Sequence, residues 1–272
     1  MLSKNDSNPG QELRKFLKVI FPQDYKNTDY EKPESFILRI DEGLMANGEF
    51  TKIVYESSIN YLLRRLINTA EYLRIKYQTD EFPPEKFNQE LRRFIIENTH
   101  IPEESSEKLF ALLQACLQAK RKKIKPNKRE RLIRDYKSRN ELRCYICGKY
   151  LNETEAEIEI EHLWPKTMGG ATEDFNLKIS CSFCNKSKQD YIDASDFHYE
   201  QICLVNDKND TNFSYEMQRT YKVALLSKSN YSCSVCNKQA ATVGKLNFGR
   251  LNLNDSWHFL NIQAYCDEHR PE

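Results

Sequence analysis

Two cysteine pairs, Cys144-Tyr-Ile-Cys147 and Cys181-Ser-Phe-Cys184-Asn185, bracket the stretch Glu157-Ile158-Glu159-Ile160-Glu161-His162-Leu163-Trp164-Pro165, and this segment decides the fold. From Glu157 to Glu161 polar and apolar residues alternate strictly, the period of a half-buried β-strand, and His162 follows. A Cys-x2-Cys turn offers two thiolates from one backbone knuckle at the separation a tetrahedral zinc ion needs, and two such turns close a site. Four thiolates leave no coordination position for a substrate, so zinc on Cys144, Cys147, Cys181 and Cys184 is expected to be structural.

The arrangement recurs further along the chain. Asn230 precedes Cys233-Ser-Val-Cys236-Asn as Asn140 precedes the first pair, and Asn261 stands five residues before Cys266 as Asn176 does before Cys181. Cys266 and His269 complete a second ligand set with Cys233 and Cys236. Fourteen residues back from Asn176 is His162, and the same count from Asn261 reaches Asn247, with Leu246 at the place of Glu161 and Arg270 at that of Asn185. The second unit is therefore expected to keep its zinc without catalytic groups, with Arg250 and Arg270 as candidate phosphate contacts. Of nine cysteines only Cys116 and Cys203 fall outside the two sets. In a chain without secretory features such cysteines are metal ligands rather than disulfides.

The order Cys-x2-Cys, Glu161-His162, Pro165, Gly169-Gly170, Asn176-Leu177, Cys-x2-Cys-Asn185-x2-Lys188 resembles the HNH endonucleases, whose ββα-metal motif is held together by structural zinc, over about Arg139 to Asp190. The resemblance implies Glu161 and Asn185 as ligands of a catalytic divalent cation, His162 as general base, and Asn176 as the brace of the intervening loop. Its Glu-His pair, where Asp-His is commoner, is similar to HNH nucleases of bacterial antiphage systems. That implies a metal-dependent endonuclease with DNA favoured over RNA, and a protein partner such as an ATPase or sensor docking on the rest of the chain.

The chemistry of the residues agrees. Phosphodiester hydrolysis needs a base for water and positive charge near the departing oxygen. An imidazole titrates near 6.5, so His162 can be both neutral and basic at ambient pH. Glu161 and Asn185 are hard oxygen donors that suit Mg²⁺ or Mn²⁺. In a regular strand adjacent residues point to opposite faces, so one site can use both Glu161 and His162 only where the strand ends or twists. The competing reading, a non-catalytic zinc-dependent nucleic-acid-binding or adaptor protein, requires neither Glu161 nor Asn185.

Upstream, apolar residues recur at helical intervals from Gln11 to about Gln118, with Pro33, Pro83, Pro84 and Pro102 as punctuation. An all-helical scaffold or partner-binding domain is expected over 1–125. Pro126 and Asn127 then open a helix to about Arg139, with Leu132, Ile133 and Tyr136 on its buried side. The nuclease module would span 126–200 and the degenerate zinc module 201–272, giving an α+β protein.

Net charge is only +1, but Lys120 to Arg143 holds 12 basic and 3 acidic residues, a local footprint for a polyanion. Lys122, Lys123, Lys128 and Arg129, together with Lys188, are the candidate nucleic-acid contacts. With 272 residues, 39% hydrophobic and 30% charged, the chain is neither disordered nor collagen-like. It has no apolar run of about 18 residues and opens without a basic-then-apolar pattern, so no membrane association and a cytoplasmic location are expected. His100, His198 and His258 have no evident partner, and Asp190, Asp193 and Asp196 are expected to form a polar loop.

Overall fold

The computed structural model describes residues 7–23, 48–151, 158–197, 219–254 and 257–270; Pro33, Glu157, His198 and Cys203 lie outside them. The described chain is α+β, rich in helix with two small two-stranded sheets. It divides into two compact units, Met1–Lys123 with His162–Asn176, and Ile124–Glu161 with Leu177–Glu272. The first unit thus differs from the expected 1–125 by taking in the loop after His162, and the two expected zinc modules share the second.

Among the described residues, four helices build the first unit. In α1 (Pro9–Ile20) Pro9 supplies a preset φ at the first turn, and Leu13, Phe16 and Leu17 are buried at helical spacing. Helix α2 (Gly48–Tyr77) buries Leu63, Leu66, Ile67 and Ala70, while α3 (Lys86–Asn98) contributes Phe87, Leu91 and Ile95. Helix α4 (Ser106–Arg121) adds Leu109, Phe110, Leu113 and Leu117, and packs against the other three around one apolar core. The loop from His162 to Asn176 belongs to the same core. Gly10 donates its N–H to the Gly169 carbonyl at 3.2 Å, and a Cβ on Gly10 would collide with the Met168 carbonyl and the Trp164 indole. Gly169 adopts φ 75° beside the Cys116 thiol, so a side chain there would be both strained and overlapping.

The second unit is built as a repeat. Helix α5 (Pro126–Ser138) buries Leu132, with Ile133 and Tyr136 half-buried, and ends at Asn140 with φ 56°. After the first knuckle, β1 (Ile158–His162) pairs with β2 (Leu177–Cys181), and α6 (Ser182–Lys188) follows at once. In the second copy α7 (Arg219–Lys228) ends at Asn230 with φ 51°, and the knuckle leads through α8 (Ala240–Val243) to β3 (Asn247–Arg250), antiparallel to β4 (Ile262–Tyr265).

The two knuckles share one hydrogen-bond pattern. Cys144 N–H donates to Lys149 and Tyr145 N–H to Ile179; Cys233 N–H donates to Lys238 and Ser234 N–H to Ala264. The residue after each second cysteine is left-handed, Gly148 at φ 69° and Asn237 at φ 59°. Asn237 is exposed and keeps its side chain, whereas a Cβ on Gly148 would strike the Gly244 carbonyl.

Candidate active site and metal centres

Both ligand sets converge. Within Cys144, Cys147, Cys181 and Cys184, and within Cys233, Cys236, Cys266 and His269, all ligand atoms lie within 4.8 Å of one another. Zinc–sulfur bonds of about 2.3 Å in a tetrahedron place sulfur atoms roughly 3.8 Å apart. In the second set Cys236 and Cys266 Sγ are 3.9 Å apart, and His269 Nδ1 lies 3.1 Å from Cys266 Sγ and 4.0 Å from Cys233 Sγ. All eight described cysteines are free thiols, so neither set is a disulfide. Both fit a zinc ion. Cys116, outside the pattern, is fully buried in the helical core, and burial pushes its thiol up to about 12, which leaves it protonated and inert at neutral pH.

Between the halves of the first zinc set, β1 presents Glu159 and Glu161 on one face, as a period of two requires. Helix α6 answers with Asn185 and Lys188, one turn apart on its own face. The Asn185 side-chain amide donates to the Glu159 carboxylate, and Lys188 Nζ donates to Glu161 Oε1 at 2.8 Å. Lys188 is 1% exposed and Glu161 8%. This corrects the expectation that Lys188 reaches a nucleic-acid phosphate. Its ammonium is turned inward as counter-ion to Glu161, where an unpaired carboxylate would be costly.

Arg129 is also engaged, donating to the Ile158 carbonyl at 2.6 Å and so tying α5 to the start of β1. Lys122 forms only an exposed 3.4 Å pair with Glu173, which contributes little. The remaining carboxylates do what a polar loop does: Asp193 accepts from the Ser195 N–H and hydroxyl, and Asp196 from the Ile192 N–H.

His162 ends β1 half-buried, and its Nε2 lies 3.2 Å from the Thr172 hydroxyl. That hydroxyl donates its single proton to the Lys122 carbonyl, also at 3.2 Å. With its proton so placed, the hydroxyl accepts from His162, and the imidazole is assigned the Nε2–H tautomer, with Nδ1 as the basic nitrogen.

Asn176 closes the loop. Its Oδ1 accepts from the Trp164 N–H at 2.8 Å and from Asn8 Nδ2 at 3.2 Å, and its Nδ2 donates to the carbonyls of Trp164 and Ala171 at 3.1 and 2.9 Å. All four bonds an amide can make are thus used, at 1% exposure. Asn8, which a sequence reading would take as a helix cap, makes no cap bond; its Oδ1 accepts from the Ala171 N–H at 2.9 Å. Asn8, Glu159 and Thr172 were missed because no motif marks them. Only Asn8 carried a local signal, the Asn-Pro step that opens α1.

The second copy repeats the brace and corrects its expected alignment. Asn261 Oδ1 accepts from the Asn252 N–H at 2.8 Å and Nδ2 donates to the Asn252 carbonyl at 3.0 Å, nine residues away, where Asn176 spans twelve to Trp164. Leu251 N–H donates to the Asn261 carbonyl as Leu163 N–H does to that of Asn176. Arg250 therefore stands at the place of His162, Gly249 at that of Glu161 and Asn247 at that of Glu159, because the intervening loop is three residues shorter. Asn247 donates to Asp267 at 2.6 Å. The second copy still lacks the imidazole and both carboxylates of the first strand.

Two Cys-x2-Cys knuckles closing a strand pair and a following helix define a ββα module in the second unit, with a ligand set that could hold zinc. Residues 144–196 match the family model for HNH endonuclease, and the chain carries an HNH endonuclease domain there. It matches no curated protein and no solved structure. Among the described residues no helix is long and apolar enough to cross a membrane.

Proposed function

We propose that the protein is a metal-dependent endonuclease in which His162 Nδ1 takes the proton of the attacking water. The observation that carries this reading is the Thr172 hydrogen bond, which assigns the ring proton to Nε2 and makes Nδ1 the more basic nitrogen. Attack on phosphorus would expel the 3′ oxygen, leaving 5′-phosphate and 3′-hydroxyl ends.

Glu161 and Asn185, joined by Glu159, are the oxygen donors for the cation. Two carboxylates and an amide against one ammonium form a hard, anionic set that suits Mg²⁺ or Mn²⁺. A cation bound there supplies the positive charge that a departing 3′ oxyanion needs. Lys188 holds Glu161 in place, and Asn176 holds the loop that carries Thr172. Lys122, Lys123 and Lys128 are the phosphate contacts, with DNA the favoured substrate.

The test is incubation of the zinc-loaded protein with supercoiled plasmid, single-stranded DNA and RNA, with and without Mg²⁺ or Mn²⁺, beside His162→Ala. Removal of a general base lowers the rate by about 10²–10⁴, so the variant should be inactive on the assay's timescale with its zinc retained. Cleavage by His162→Ala at the wild-type rate would overturn the mechanism, and absence of cleavage by the wild type under every condition would favour a binding protein.

A further inference from the structure

We propose that the helical unit carries an oxyanion site of its own, a cavity of about 220 Å³ between α2, α3 and α4 that takes a phosphate group. The site uses no residue of 144–196, so it is independent of the nuclease reading and either can fail without the other.

Two arginines and four carboxamides line the cavity, and no carboxylate does. Arg74 and Gln78 come from the end of α2, Asn88 from the first turn of α3, and Gln114, Gln118 and Arg121 from the last two turns of α4. Arg121 is exposed and forms no ion pair among the described residues. Arg74 gives two of its five N–H groups to Glu71, at 3.1 and 3.0 Å, and keeps three. Gln114 Nε2 donates to Asn88 Oδ1 at 2.7 Å, which leaves the Asn88 amide N–H groups to donate elsewhere. The local field is positive. The Glu71 carboxyl is held below its usual range, first by the Arg74 hydrogen bond and then, against the effect of burial, by the charges of Arg74, Lys120 and Arg121.

Size and donor count select the ligand. The cavity equals about seven waters' share of liquid volume, at roughly 30 Å³ each, and lies below the about 300–1,000 Å³ of sites that enclose a drug-sized molecule. It has room for a phosphate group and not for an enclosed cofactor. Guanidinium forks match phosphate oxygens bidentately, and three phosphate oxygens use more of these donors than the two of a carboxylate. Arginines in a last turn also offset the C-terminal end of a helix, but that role needs neither the cavity nor its amides. Asn88→Asp separates the two accounts. Aspartate keeps the shape, still accepts from Gln114 and favours the first turn of α3, which has no acidic residue, yet it puts negative charge where the phosphate would sit.

The phosphate could be the free ion or the end of a phosphomonoester, and the experiment distinguishes them. Inorganic phosphate, a nucleoside 5′-monophosphate and succinate are titrated calorimetrically into the full zinc-loaded chain, at ionic strength held by chloride and without added Mg²⁺ or Mn²⁺. Phosphate should bind saturably and succinate more weakly. Arg121→Gln should weaken phosphate binding about 10- to 150-fold, the loss of one charge-assisted hydrogen bond. Asn88→Asp should weaken it at least as much, with the urea midpoint of the unliganded chain unchanged or raised. Lys125→Gln, in the same basic run but outside the cavity wall, should bind as wild type. A monophosphate that binds more tightly than phosphate assigns the site to a phosphomonoester, and one that does not assigns it to the free ion; both uphold it.

No saturation by phosphate or monophosphate, wild-type affinity in Arg121→Gln and Asn88→Asp, or an equal loss in Lys125→Gln would overturn the proposal; the last would make the effect one of net charge. Succinate binding as tightly as phosphate would overturn it too. Should Asn88→Asp lower the unliganded midpoint, the exposed Arg121→Gln decides alone: a weakened titration at an unchanged midpoint upholds the site, and an unchanged titration ends it.

Discussion

Thr172→Val isolates the step on which the mechanism depends. Valine keeps the shape of a side chain that is 5% exposed and removes only the hydroxyl, so His162 Nε2–H and the Lys122 carbonyl both lose this partner. A hydrogen bond to a neutral donor contributes about 1 kcal/mol, and one to a charged donor about 1.5–3. As the ring takes up the proton of water, the bond to Thr172 changes from the first kind to the second, so the transition state gains about 0.5–2 kcal/mol over the ground state. At 1.36 kcal/mol per tenfold, kcat should fall about 2- to 30-fold. KM should stay near wild type, since substrate binding does not use this bond.

Leaving buried groups without this partner should also cost about 1–3 kcal/mol of stability. Thr172→Ser restores the hydroxyl and should restore kcat. Plasmid nicking followed over time at several substrate concentrations gives the kcat and KM split, and a urea midpoint gives the stability. Wild-type kcat in Thr172→Val, or equal impairment in the serine and valine variants, would refute the tautomer argument.

Asn185→Ala should raise the Mg²⁺ or Mn²⁺ concentration needed for half-maximal cleavage, with Glu159→Gln moving it in the same direction; an unchanged metal titration removes that residue from the cation set. Metal analysis should find about two zinc ions per chain, and Cys144→Ser should unfold the ββα module, since a structural zinc contributes on the order of 10 kcal/mol; retained zinc and cooperative unfolding in the variant would contradict this. Asn176→Asp puts an acceptor where two carbonyls require a donor, so it should cost at least about 3 kcal/mol by denaturant unfolding. Gly10→Ala, far from His162 in sequence, should depress cleavage and stability together, because its Cβ meets the backbone of Met168; activity and stability at wild-type levels would show that the loop can yield.

What the sequence made legible was local or periodic. The Cys-x2-Cys knuckles, the β1 alternation, the helical stripes of the first unit and the repeat itself each reside in a few neighbouring residues. The pairing of Glu159 with Asn185 and of Glu161 with Lys188 was not legible, because it joins a period of two to a period of 3.6 across an intervening loop. Lys188 was misread for that reason: a lysine near a helix end is usually solvated, and only the packing of α6 against β1 buries it. The alignment of the second copy failed for another reason. A fixed count between Asn261 and the preceding strand assumes loops of equal length, and only the brace of Asn261 on Asn252 reveals the shortening.

Under the proposed mechanism, that shortening bears on why one copy has an imidazole at this place and the other does not. In the first copy the longer loop carries Ala171 and Thr172 into the helical core, where Asn8 holds the first and the Lys122 carbonyl at the end of α4 receives the proton of the second. A loop cut by three residues, as in the second copy, would have to forgo part of this docking, and with it the means of fixing a tautomer. An imidazole at the place of Arg250 would then be free to carry its proton on either nitrogen, whereas a guanidinium needs no such partner to stay charged. The helical unit is thus more than a carrier for the domain of residues 144–196, because the groups that orient His162 and brace its loop, Asn8, Gly10 and Lys122, belong to it.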